Sequence, residues 1–121
     1  MLSRAAIVRY TKYLFDNINN FDCKNYVTYI KNNNFDLPED MNAEVNNIYY
    51  EILLNNKTID IETQIKLAES NYLKFKQYLL DNSIKDLKVN AIINLMEIEI
   101  PTLVKFLRSR EPARKIRRGY K

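Results

Sequence analysis

The sequence predicts an all-α protein, folded as a single small bundle of about five helices with a basic C-terminal tail. Three observations lead to this class. The chain has only one glycine and three prolines, whereas sheet proteins use many of these residues in tight turns. Apolar residues recur at three- and four-residue spacing along most of residues 3–110, a pattern that lines one face of a helix. The length of 121 residues suits one domain.

The first helix is predicted from Ser3 to Asn20, with Ser3 as its N-cap. Its apolar face comprises Ile7, Val8, Thr11, Leu14, Phe15, Ile18 and Phe21. A shorter second helix is predicted from about Asp22 to Lys31. Residues 32–34 are all asparagine and end the second helix, because Asn favours turns over helix interiors.

The third helix has the best-marked start. Asp36 is its predicted N-cap, Pro38 lies in the first turn and Glu39 completes a capping box. Thr58 or Asp60 opens a fourth helix that reaches about Asp81. Ser83 and Asp86 repeat the capping pattern and open a fifth.

The sequence near the C-terminus predicts two interruptions. Residues 97–100 alternate between acidic and apolar, so the fifth helix is expected to end there and Pro101 to start one more short helix. Pro112 is expected to stop that helix, because proline breaks helix interiors. Residues 1–110 are therefore assigned to the bundle and residues 111–121 to a basic tail.

Charge is concentrated at the end of the chain. The net charge is +4, but residues 105–121 hold eight Lys and Arg against one Glu, a net +7 that leaves −3 for the rest. Such a segment suits binding to a polyphosphate backbone, or to an acidic protein. The candidate polyanion-binding residues are Arg108, Arg110, Arg114, Lys115, Arg117 and Arg118. A solubilising tail without a partner is the alternative.

The chain lacks the residues that several kinds of catalytic or metal site require. The chain has no histidine and one cysteine, Cys23, so the usual general base and zinc ligands are missing. Its only glycine is Gly119, which leaves no glycine-rich phosphate loop. No apolar run approaches the ~18 residues of a bilayer span. The sequence therefore predicts a non-catalytic protein without a metal site, a cofactor of its own or a transmembrane segment.

The first fifteen residues contain three basic residues, Ser3, Thr11 and no acid. This composition is typical of a mitochondrial targeting helix. An ordinary first helix of the bundle has the same composition, so both interpretations stand at this point.

Residues 4–15 (RAAIVRYTKYLF), followed by Phe21 and residues 25–29 (NYVTY), resemble the opening of the Leu-Tyr-Arg (LYR) motif family. The family's triplet corresponds here to Tyr10-Thr11-Lys12, with Thr11 in place of the family's Tyr. Residues 52–67 resemble the family's Phe-Arg-x-Asn segment and third helix. Together these stretches cover about two thirds of the chain.

The resemblance implies a mitochondrial adaptor, a subunit of a larger complex, that docks an acyl carrier protein. Lys12, with Arg9 beside it, would bind the phosphate of the partner's acyl-phosphopantetheine, while Tyr10 and Phe21 hold motif positions. A cation next to an apolar groove can bind a phosphate and a fatty chain together. The alternative is a structural protein, ribosomal, nucleoid or virion, that binds RNA or DNA through its tail and lies in the cytoplasm, nucleus or virion.

Overall fold

The computed structural model describes residues 2–35, 41–55 and 58–119, with side chains given up to residue 110 except at 41–42. Within these ranges the chain forms five α-helices and no strand: α1 (Arg4–Asp16), α2 (Cys23–Asn32), α3 (Met41–Leu54), α4 (Ile61–Asp81) and α5 (Leu87–Gly119). The predicted all-α bundle is confirmed. None of the helices in the described ranges has a stretch apolar and long enough to span a bilayer.

Side-chain caps set the first helix boundaries. Ser3 Oγ accepts from the backbone N–H of Ala6 at 3.1 Å, and Asp22 Oδ1 accepts from Asn25 N–H at 2.8 Å at the start of α2, so both predicted starts are confirmed. Helix α1 ends at Asp16, four residues before the predicted end. There Asn17 donates both its backbone and its side-chain N–H to the carbonyl of Tyr13, which closes the helix.

The predicted start can be compared with the structure for α4 but not for α3. The predicted cap of α3, at Asp36, Pro38 and Glu39, lies outside the described residues. Helix α4 starts after Asp60, whose Oδ1 accepts from Thr63 N–H at 3.0 Å. Of the two starts that the sequence allows for this helix, the structure therefore selects Asp60.

Ser83 ends α4 and does not open α5. It has a left-handed φ of 50°, while Ile84 N–H donates to Leu79 O at 2.9 Å and Ser83 N–H to Leu80 O at 3.2 Å. These two bonds form a Schellman cap, which glycine usually completes. Asp86 alone caps α5, by accepting from Val89 N–H at 3.0 Å.

Helix α5 runs without interruption from Leu87 to Gly119, so the predicted breaks at residues 97–101 and at Pro112 are both wrong. One buried stripe continues through Pro101: Met96, Ile100, Leu103 and Leu107 are all buried at spacings of four, three and four, which is helical periodicity. Pro101 is exposed, so water can satisfy the carbonyl that the missing N–H leaves free. Packing of the stripe therefore outweighs the local signal.

Helix α1 lies at the centre of the bundle and packs on α3, α4 and α5. Its buried residues include Ala5, Ala6 and Val8. Leu14, on the predicted apolar face, is fully buried, as is Ile48 on α3. Removing the first fifteen residues would therefore remove the middle of the core.

Candidate functional site

The two cations predicted to meet a phosphate are already paired with carboxylates. Arg9 Nη1 lies 2.7 Å from Glu51 Oε2, which joins α1 to α3. Lys12 Nζ lies 2.5 Å from Asp16 Oδ2, one turn further along α1. Both pairs retain some exposure, so a ligand phosphate would compete with a carboxylate for each cation.

Tyr10 and Phe21 belong to an aromatic cluster in the interior. Tyr10 is fully buried, and its hydroxyl donates to the backbone carbonyl of Asn33. Burial raises the pKa of Tyr10. Phe21 is half-buried, with its ring centre 5.4 Å from that of Tyr26 and 6.4 Å from that of Phe75. The structure therefore gives both residues packing roles and does not bring them into one site with Arg9 and Lys12.

A different cation lies beside an apolar groove. The α1–α5 groove, formed by the start of α1 and the middle of α5, has a volume of about 490 Å³. It is lined by Leu2, Arg4, Ile7, Leu95, Ile98, Glu99 and Thr102. A concave, mostly apolar surface with few polar groups is the usual form of a binding site. Arg4 was not among the residues singled out from the sequence, although it begins the stretch that resembles the LYR family.

Arg4 is held in place by a buried network at the base of the groove. Its Nε donates to Glu99 Oε1 at 2.9 Å and its Nη2 to the Tyr49 hydroxyl at 3.0 Å. The Tyr49 hydroxyl in turn donates to Glu99 Oε2. Glu99 is only 5% exposed, and its hydrogen bond raises the pKa of Arg4. The network joins α1, α3 and α5 and leaves half of the Arg4 side chain facing solvent.

Helix α5 also carries apolar residues on the side away from the core. This outward face comprises Leu87, Ala91, Leu95, Ile98 and Thr102, which fall within an arc of about 80° at 100° per residue. All five are exposed; Leu87 is 88% and Ile98 72% exposed. The sequence signal was present, because apolar residues occupy both sides of this helix, but only packing shows which side faces solvent.

The candidate polyanion-binding residues divide into two groups. Arg108 makes two 2.9 Å bonds to the carboxylate of Glu62, and the Arg110 guanidinium lies 5.2 Å from the centre of the Phe106 ring. Arg114, Lys115, Arg117 and Arg118 lie on the helical backbone of α5, and their side chains are outside the described set. The predicted basic tail is therefore helical at least as far as Gly119.

The register of α4 against α5 shows where this basic segment lies. The helices are antiparallel, since Glu62 meets Arg108 and the Tyr72 hydroxyl donates to Ile93 O at 3.2 Å. Arg108 thus faces the first turn of α4, and α5 continues for about 16 Å beyond this point at 1.5 Å per residue. The basic end of α5 extends past the end of its neighbour α4.

Other reactive groups are sparse in the described part of the chain. No set of three or more Cys, Asp or Glu side chains comes together there in a way that could hold a metal ion. Cys23 is half-buried, and burial, together with Asp22, raises the pKa of its thiol, which favours the unreactive protonated form.

No protein-family model, curated protein or solved structure matches this chain.

Proposed function

We propose that the protein is a non-catalytic adaptor subunit that binds an acyl carrier protein over the α1–α5 groove and the outward face of α5. The observation that carries this proposal is the exposed apolar surface of Leu95 and Ile98 directly beside the Arg4 guanidinium. Contiguous exposed apolar surface on a folded protein marks sites of interaction. The resemblance to LYR proteins supplies the partner and a mitochondrial location.

The groove combines the two properties that such a partner requires. Arg4 offers a fixed cation for an acidic surface or for the phosphate of a phosphopantetheine arm. Ile7, Leu95 and Ile98 offer apolar area next to that cation. Because Glu99 and Tyr49 already orient the Arg4 side chain, little side-chain entropy is lost when a ligand binds.

Arg9 and Lys12 take a secondary role in this proposal. Their salt bridges to Glu51 and Asp16 are partly exposed, and exposed pairs contribute only about 0–1 kcal/mol to stability. An acidic partner can therefore replace the carboxylates at small cost. The two cations would widen the positive side of the docking surface along α1.

Substituting Ile98→Glu should reduce capture of purified acyl carrier protein at least about tenfold, because a charge would have to be buried in the apolar contact. The matched control is Leu80→Glu on α4, since Leu80 is also 72% exposed but lies outside the groove. Binding can be measured by calorimetry with the acylated and unacylated carrier. Both variants should keep the wild-type melting temperature.

Equal binding by wild type and Ile98→Glu would contradict the proposed docking surface. No binding by wild type would contradict the proposed partner. A loss with Leu80→Glu as large as that with Ile98→Glu would point to a general effect of added negative charge. The double variant Arg9→Gln, Lys12→Gln then tests separately the two cations that the LYR resemblance singles out. A smaller loss than that of Ile98→Glu is expected, because these cations already have intramolecular partners.

A second function, polyanion binding, is supported by the continuation of α5. Because the helix persists to Gly119, the four cations at residues 114–118 are held on a structured element that extends beyond α4. A helix of this kind can lie along the phosphates of RNA or DNA. The sequence preference should be low, since phosphate contacts fix position and carry no base information.

Replacing Arg114, Lys115, Arg117 and Arg118 with Gln should weaken binding to a 20-mer oligonucleotide by at least about tenfold at 50 mM salt. The reason is the loss of four phosphate contacts, each of which adds about 0.7–0.9 to the logarithmic salt slope. Gln retains helix propensity, so the circular dichroism spectrum should not change. An unchanged salt slope in fluorescence anisotropy would show that these residues do not contact phosphate.

A further inference from the structure

A second groove lies between α4 and α5, away from the surfaces described above. This α4–α5 groove has a volume of about 360 Å³ and is lined by Glu69, Tyr72, Leu73, Glu97, Ile100 and Pro101. Its apolar surface includes Leu73, which is 62% exposed. The groove therefore presents apolar area to solvent.

The polar groups of this groove are acidic. Glu69 and Glu97 are exposed, and neither makes an ion pair with any residue whose side chain the structure describes. Arg108 lies near enough to Glu69 for that carboxylate to contribute to its raised pKa, but Arg108 forms its salt bridge with Glu62. Pro101 has no N–H, so the carbonyl of Glu97 lacks its helical donor and is a further acceptor. Lys76 lies 5.7 Å from the centre of the Tyr72 ring, but it does not line the groove. The surface thus suits a cationic helix with some apolar side chains.

The chain itself contains a segment of that kind. Residues 111–119 are helical in α5 and hold Arg114, Lys115, Arg117 and Arg118 together with Ile116. The segment cannot reach the groove of its own molecule. Glu97 and Pro101 belong to the same continuous helix as this segment. The ten residues from Pro101 to residue 111 span about 15 Å along the helix axis, so the segment points away from the groove.

We propose that the basic end of α5 of one molecule binds in the α4–α5 groove of a second copy. The support is charge complementarity within a single sequence. Residues 111–119 hold four Lys and Arg against one Glu, a net +3, and two acidic side chains without an ion pair to a described side chain lie at the rim of an apolar groove. The contact is heterologous, since the donor and acceptor surfaces differ, so successive contacts give either a closed ring or an open chain. It involves neither the α1–α5 groove nor the outward face of α5.

The test is a complementation experiment with full-length variants. The groove variant carries Glu69→Lys and Glu97→Lys, and the tail variant carries Gln at residues 114, 115, 117 and 118. In sedimentation velocity at 50 mM salt, wild type should self-associate with increasing concentration, whereas each variant alone should remain monomeric. An equimolar mixture of the two variants should form a one-to-one dimer, because one supplies an intact tail and the other an intact groove.

The association constant should fall at least about tenfold from 50 to 500 mM salt, since exposed charges are then screened. Asp81→Lys, an exposed charge change at the end of α4, should associate as wild type does. A monomeric wild type, self-association of either variant alone, or no dimer in the mixture would overturn the proposal. Circular dichroism of each variant verifies folding. If the double variant fails to fold, the single substitutions Glu69→Lys and Glu97→Lys should each weaken self-association by a smaller factor.

The outcomes also separate this contact from the proposed functions. A wild type that binds the carrier protein but stays monomeric would overturn only the self-association, whereas a wild type that self-associates without binding the carrier protein would overturn only the adaptor function. Oligonucleotide binding depends on the tail but not on Glu69 and Glu97. The groove variant should therefore bind an oligonucleotide at least as tightly as wild type while it fails to self-associate.

Discussion

Substituting Phe75→Ala should destabilise the bundle by about 3–5 kcal/mol, the usual effect of removing a buried aromatic side chain. Phe75 is fully buried on α4, and its ring centre lies 4.6 Å from that of Tyr26 on α2. The substitution would remove the contact between the two rings and leave a cavity between α2 and α4. Because domains of this size are stable by only about 5–15 kcal/mol, the melting temperature should fall by on the order of 10–20 °C.

The measurement is urea and thermal unfolding followed by far-ultraviolet circular dichroism. Leu73→Ala is the matched control, because Leu73 lies on the same helix but is largely exposed, and its loss should change stability by less than about 0.5 kcal/mol. Similar losses for the two variants would mean that α4 does not pack in the way described.

The helices that could be predicted from the sequence are those with strong local signals. The cap at Asp22, the asparagine run at residues 32–34 and the Asp60 cap all bound helices where the sequence places them. Each depends on a hydrogen bond between residues that are close in the chain, which a sequence displays directly.

The errors occurred where packing between distant residues outweighs local preference. The acidic and apolar alternation at residues 97–100 is compatible with a helix because Glu99 is buried against Arg4 and Tyr49, partners that are 95 and 50 residues away. No window of sequence contains that network. Ser83 was likewise assigned to the wrong helix, because a serine before an acid resembles a cap whether its φ is negative or positive.

The contacts made by the candidate site residues could not be predicted from the sequence, for the same reason. Arg9 and Lys12 are cations with suitable spacing, but the sequence does not show that Glu51 and Asp16 pair with them. The α1–α5 groove arises only when residues near position 4 meet residues near position 98. The positive charge of the C-terminal segment needs no such contact, and it was evident from composition alone.

Buried tyrosine hydroxyls give the fold a specific dependence on alkaline pH. Tyr26 is fully buried; its hydroxyl donates to Tyr10 O at 2.8 Å, and burial raises its pKa well above the ordinary value. Burial, followed by the hydrogen bond to Glu99, raises the pKa of Tyr49 in the same direction. The folded protein therefore keeps both phenols protonated at a pH where the unfolded chain would release the protons.

The stability of the bundle should fall as the pH rises above about 10, the ordinary tyrosine pKa. Up to that pH the phenols are neutral in both states, and their contribution to stability is fully present. Above it, ionisation favours the unfolded chain, at about 1.4 kcal/mol per pH unit for each shielded phenol until its folded pKa is reached. Tyr26 and Tyr49 together should remove about 3 kcal/mol by pH 11.

Tyr26→Phe isolates one of these two contributions. At pH 7 the variant should be less stable than wild type by about 1 kcal/mol, because the hydrogen bond to Tyr10 O is lost. The difference should shrink above pH 10 and vanish or reverse by pH 11, since the variant has one fewer phenol to ionise on unfolding. Urea unfolding at pH 7, 9, 10 and 11, with tyrosinate absorbance near 295 nm recorded in parallel, measures both the stability and the ionisation.

In wild type the ionisation of the buried phenols should coincide with unfolding. Parallel stability profiles for wild type and Tyr26→Phe would show that the Tyr26 hydroxyl reaches solvent in the folded protein, and would contradict its place in the core.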